Sequence, residues 1–167
     1  VNAGRLEFSA ELRGMMQKLQ QTVGRLYGVL CDAEFGDARC GIVLTGSPSS
    51  PWVKTGTITS AQSNRVFYDS ARADANGLFD FGKITFNTGL NAGQSMEIKL
   101  HTLGSPTGAQ FALQLPMPFT VAIGDAYTVV AGCKKRFAED CVATFNNGDN
   151  HRGFPDVPGS DRLLAGT

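Results

Sequence analysis

From Trp52 onward the chain alternates apolar and polar residues in short bursts: "WVKTGTITSAQ", "NRVFYDS", "GLFDFGKITFNTG", "SMEIKLHTL", "AQFALQL" and "YTVVAGC". Each is rich in β-branched and aromatic residues, and a period of two puts every second side chain on one face, as in a half-buried strand. The bursts are separated by "ADANG", "LNAG", "GSPTG" and "AIGD", which are turn formers. About six strands at such close intervals predict an antiparallel β-barrel-like or sandwich domain. The pattern upstream is different. Leu6, Phe8, Ala10 and Leu12 alternate like a strand, and Met15, Met16, Leu19 and Val23 form a helical stripe ending near Gly24. "TGSPSSP", residues 45–51, reads as a linker. Beyond residue 132 the apolar period disappears, yet Phe145, Phe154 and Val157 are spaced as anchors for an ordered, irregular tail.

These patterns divide the chain into residues 1–30, the end of a preceding domain (a strand plus a short helix), and 31–51, a first cysteine loop and linker. Residues 52–132 follow as a mainly β, antiparallel barrel-like domain, and 133–167 as a second cysteine loop and irregular tail. Because Val1 opens a strand already in progress, a domain is expected to precede it. Lys plus Arg and Asp plus Glu both number 15, so nothing favours wholesale attraction to nucleic acid. The most apolar tract, Phe111 to Ala131, is interrupted by Gln114, Pro116, Pro118 and Asp125, so no membrane span of about 20 residues is expected.

Catalytic signatures are missing: the sequence has no HExxH, no GxSxG, no Walker glycine loop and no GxGxxG. Of the two histidines, His101 lies in a strand and is expected to be satisfied or half-exposed; His151, in the turn-rich tail, is expected to meet solvent or backbone. Glu139 and Asp140 read as solvated loop charges. The expectation is a protein that is not an enzyme.

The concentrated chemistry is in four cysteines, arranged as two couples. "CDAEFGDARC" holds Cys31 and Cys40; "GCKKRFAEDC", read as a short polar loop, holds Cys133 and Cys141. Two local disulfides are one reading, each stabilising by about 2–3 kcal/mol, in a disulfide-bonded extracellular binding module. In another, four thiolates converge on one metal centre. In a third the thiols are free. Eight and seven intervening residues exceed the usual C-x2-4-C zinc knuckle and suit a larger cluster better than one ion. Lys134, Lys135 and Arg136 are placed to offset negative charge. On the residues alone, disulfide and metal readings both stand.

The run "CDAEFGDARCGI", followed after the β domain by "GCKKRFAEDCVATFNNGDNHRGFPDVPGSD", resembles the carboxy-terminal part of the tail-hub proteins of long-tailed phages and gene transfer agents, a group similar to the lambda tail tip protein L. The resemblance covers residues 5 to about 161. It implies that Cys31, Cys40, Cys133 and Cys141 ligate one [4Fe–4S] cluster of structural role, with zinc or the apo form expected after aerobic preparation. It further implies a virion structural protein of the tail tip or baseplate, assembled in the bacterial cytoplasm. There it joins a distal tail protein to a central fibre or spike as a homotrimer around the tail axis. His151 stands where many relatives have Phe, and Lys134 where they often have Asp. "RGFPDVPG" is read as a rigid segment with Phe154 buried and Arg152 paired with a carboxylate.

Overall fold

A computed structural model of the chain describes residues 27–44, 51–104 and 108–157. The expected amino-terminal strand and helix and nearly all of the linker lie outside the described residues. Seven strands form: β1 (Val53–Thr57), β2 (Ser60–Ala61), β3 (Val66–Asp69), β4 (Lys83–Phe86), β5 (Ser95–Gly104), β6 (Gly108–Leu113) and β7 (Ala126–Val130). All ladders are antiparallel, in the order β1-β7-β4-β5-β6-β3-β2. The strands fall where the alternation placed them, because burial follows the same period: every second residue of β3, β6 and β7 is buried.

The sheet is barrel-like only loosely, since no ladder joins its two edge strands, β1 and β2. What bends it is β5. Residues Ser95–Glu97 pair with β4, Ile98–Gly104 pair with β6, and the register slips between Ile98 and Leu100. An irregularity of this kind turns a long strand and lets one strand serve two half-sheets. Phe67, Phe79, Phe86, Phe111 and Tyr127 fill the space between the halves with Ile58, Ile84, Ile98, Leu113 and Val129, all fully buried. Burying a side chain of this kind contributes about 1.5–3 kcal/mol. Across the unclosed seam, Tyr127 donates its hydroxyl hydrogen to the buried Asp69 carboxylate at 2.6 Å.

The sheet has two unlike ends. One carries the β4–β5 turn and the β6–β7 loop. At the other, the chain leaving β7 crosses the 79–82 turn so closely that a Cβ on Gly132 would stand 1.8 Å from the Asp80 carbonyl oxygen. That crossing delivers Cys133. The second cysteine segment is not simply a polar loop: Phe137–Thr144 is a π-helical segment, with Cys141 N donating to Arg136 O and Phe145 N to Asp140 O.

Candidate functional site

Asp37 folds the first cysteine loop. Its carboxylate accepts the backbone N–H groups of Cys40 (2.7 Å), Arg39 (3.0 Å) and Glu34 (3.2 Å), and Gly36 and Gly41 take positive φ around it. The N–H of Cys40 above all, together with those of Glu34 and Arg39, holds this carboxyl below its ordinary range. The loop closes on itself with Cys31, Ala33 and Cys40 buried together. Phe35 anchors it to the main core by packing its ring, tilted, against Phe145, which also meets Trp52.

The second couple arrives from the end of β7. Lys135 takes a positive φ of 65°, which turns its N–H onto Cys133 Sγ at 3.3 Å while its carbonyl accepts from Cys31 N at 2.9 Å. One residue thus joins the two couples. Next, Arg136 forks onto Asp140 at 2.9 and 3.1 Å and also offers that carboxylate its backbone N–H. Burial raises the Asp140 carboxyl, but the Arg136 hydrogen bonds outweigh it and the group ends below its ordinary value. Asp140 is therefore a buried structural anion and not the solvated loop charge expected, because Arg136 is four residues away on the same helical turn.

Residues 147–157 then lie across both couples. Asn147 donates to the Cys40 carbonyl at 2.7 Å, lies 3.8 Å from Cys40 Sγ, and bonds through its own N–H to the Cys141 carbonyl. Asn150 fixes the Asn147 side chain at 2.7 Å. Nδ1 of His151 is 3.3 Å from Cys141 Sγ and its Nε2 is 3.4 Å from Val29 O, so this ring meets a sulfur as well as backbone. Arg152 points its N–H at Cys31 Sγ, 3.3 Å away, and its Nε at the Arg39 carbonyl. Phe154 is half-buried against Tyr27, with ring centroids 4.7 Å apart; Val157, expected as an anchor, is exposed.

Each of the four sulfurs thus has a nitrogen neighbour from Lys135, Asn147, His151 or Arg152. All four cysteines are free, with no disulfide among them. Burial raises the Cys133 thiol, and burial with the neighbouring Cys133, Cys31 and Cys40 sulfurs pushes Cys141 up to about 11. The basic triplet brings no spare charge to relieve that crowding: Lys134 pairs with Asp80, Lys135 with Glu34 and Arg136 with Asp140. Among the described residues, no group of three or more His, Cys, Asp or Glu is gathered closely enough to grip a metal ion.

His101, the other histidine, has no part in this site. It is fully buried between Phe79 and Phe111, and both ring nitrogens are without a hydrogen-bond partner, contrary to the satisfied or half-exposed state expected.

Two family models match the chain. One, described as "Phage conserved hypothetical protein BR0599", matches residues 77–161, just over half of the sequence. The chain belongs to this phage family. The other, "Baseplate hub protein, N-terminal attachment domain", matches residues 1–43. The first cysteine couple therefore falls in the hub match, the second in the phage-family match, and the site forms where the two meet. Among solved structures, a chain of the "Virion of native gene transfer agent (GTA) particle" is similar at 27% identity and a TM-score of 0.75. The match covers 93% of this chain and 52% of that one, so this phage-family chain spans about half the length of its structural relative. No curated protein matches.

Proposed function

We propose that the chain is a structural, non-enzymatic part of a baseplate or tail hub in a phage or gene transfer agent virion. In this reading Cys31, Cys40, Cys133 and Cys141 hold a [4Fe–4S] cluster that fastens the hub-attachment segment to the β domain. One observation carries the reading: four free sulfurs from two distant couples share one end of the sheet, each with a nitrogen aimed at it. N–H groups directed at sulfur are what a deprotonated, metal-bound thiolate accepts, and hydrogen bonds to ligand sulfurs are a recognised means of tuning such clusters.

The donor set fits a cluster better than a lone ion. A single structural zinc is usually held by cysteines two to four residues apart, whereas eight and seven residues intervene within these couples. A cubane spreads its four ligands wider, because each binds a different iron at a different corner. Held by Cys31, Cys40, Cys133 and Cys141, a cluster would supply four covalent tethers and a positive core to offset thiolate repulsion, so that metal binding would add to folding stability. The chain's own residues set the frame: Asp37 shapes one loop, Arg136 and Asp140 shape the other, and Asn147 ties them together.

Association with further tail components belongs to the same proposal: a distal tail protein on one side, a central fibre or spike on the other, and copies of the chain around the tail axis. The test is anaerobic purification followed by iron and sulfide analysis and absorbance near roughly 400 nm. Four irons per chain, lost on replacing any one of the four cysteines by alanine, supports the reading. Stoichiometric zinc without sulfide, or two disulfides by mass, refutes the cluster while leaving the hub assignment standing.

A further inference from the structure

At the end of the sheet opposite the cysteines, the β4–β5 turn (residues 87–94) meets the β6–β7 loop (114–125). Leu90, Phe119 and Ile123 project from these two segments, 72%, 52% and 72% exposed, and Leu115 is 61% exposed at the foot of the same loop. Side chains of this size are normally the first to be covered, so a group of them at one tip marks a contact surface.

The tip is braced. Asn91, fully buried, donates to the carbonyl of Phe119 at 3.0 Å and accepts the N–H of the same residue at 3.1 Å, locking turn to loop. Ala126 N donates to Thr88 Oγ1 at 2.7 Å, and Ala122 N to the Asp125 carboxylate at 3.0 Å. Gly89 passes so close that a Cβ there would stand 2.2 Å from that carboxylate. A surface ordered before binding loses little entropy on docking.

We propose that this tip docks into an uncharged, apolar socket on a different protein of the same particle. Three observations select that occupant. Across residues 87–94 and 114–125 the only ionisable side chain is Asp125, which is buried, so neither an acidic nor a basic partner has anything to pair with. Bilayer-inserting tips carry flanking Lys or Arg and interfacial Trp or Tyr, and these segments contain none. Neither groove described offers a second copy an uncharged socket: the larger, about 660 Å³, has Lys54, Asp69, Arg72 and Asp74 in its lining beside Ala71, Ala73 and Tyr127, and the other has Lys134, Arg136, Glu139 and Asp140 beside Leu78 and Phe145. The inference rests on the virion part of the proposed function and not on the cluster; iron content decides the one, surface protection the other.

The test compares hydroxyl-radical labelling of the purified full-length protein with that of intact particles. Labelling of Leu90, Phe119 and Ile123 is expected to fall at least tenfold in the particle. The Leu90→Asp/Ile123→Asp double variant, whose changes lie on the surface, is expected to keep its circular dichroism and melting temperature yet yield at least tenfold fewer complete tails. Equal labelling in both states overturns the proposal. So does self-association of the purified protein that the double variant abolishes, which assigns the tip to another copy. Retention on neutral phosphatidylcholine vesicles, lost in the double variant, assigns it to lipid and equally overturns it.

Discussion

His101 sits in the core with both nitrogens unpartnered, edge-on to Phe79 and tilted on Phe111. Burial lowers its pKa below the ordinary 6.5; Asp74, Asp80 and, least of all, the Ala75 backbone oppose the shift, and Arg72 adds to it. The sign is fixed by which state holds the proton. As pH falls below 6.5 the unfolded chain binds a proton first, so protonation linkage costs stability on the acid side and adds nothing above neutrality. His101→Phe is expected to flatten the loss of urea midpoint between pH 7 and pH 5. It is also expected to raise the melting temperature by roughly 2–4 °C, since an unsatisfied buried polar group costs about 1–3 kcal/mol. An unchanged acid limb would sink this account. At the same scale, Asn147→Ala removes the side-chain bond to the Cys40 carbonyl while keeping the backbone bond to Cys141, and if the cluster is present as proposed, about tenfold weaker retention of iron against a chelator is expected. The cysteines announced themselves through spacing. Asn147 did not, because its partner Cys40 is 107 residues away and no local pattern encodes such a contact.

Strands were legible because burial on one face imposes a period of two, and β3, β6 and β7 keep it throughout. The open seam was not, since closure depends on how β5 divides its pairing at the slip between Ile98 and Leu100, a tertiary matter. Nor was the π-helical segment: "KKRFAEDC" reads as loop by composition, and its turn is held by the Arg136–Asp140 fork. The seam makes a prediction of its own. Tyr127→Phe keeps the ring in the core but removes a donor from the buried Asp69 carboxylate, leaving one oxygen short of a partner. Denaturant unfolding should show a loss of about 1–3 kcal/mol; a neutral result would mean that Asp69 finds another donor. The crossing at Gly132 has no room for any Cβ, so Gly132→Ala is expected to displace Cys133 and lower iron occupancy more than it lowers β-sheet circular dichroism.

Taken whole, the molecule has a sheet that coheres through its own aromatic core and a cysteine end held by hydrogen bonds and, as proposed, by metal. Removing the metal should therefore loosen one end only. Trypsin is expected to cut at Lys134, Lys135, Arg136 and Arg152 at least tenfold faster after chelation, while the far-ultraviolet β signal stays unchanged; global unfolding on chelation would contradict the division. The fold class was readable at this scale from composition and period, whereas the opposed apolar tip was not. Leu90 and Ile123 fall in the turn segments "LNAG" and "AIGD", but no local pattern says that they and Phe119 come together, exposed, at one end of the sheet. One last consequence concerns the order of synthesis. Cys40 leaves the ribosome about a hundred residues ahead of Cys141, an interval of roughly 5–20 s at bacterial elongation rates. Asp37 can shape the early loop at once, but its sulfurs must wait for their distant neighbours until the β domain and the strap behind it have emerged. On the proposed reading, cofactor insertion would thereby be deferred to the finished chain, and a truncated product would never acquire it.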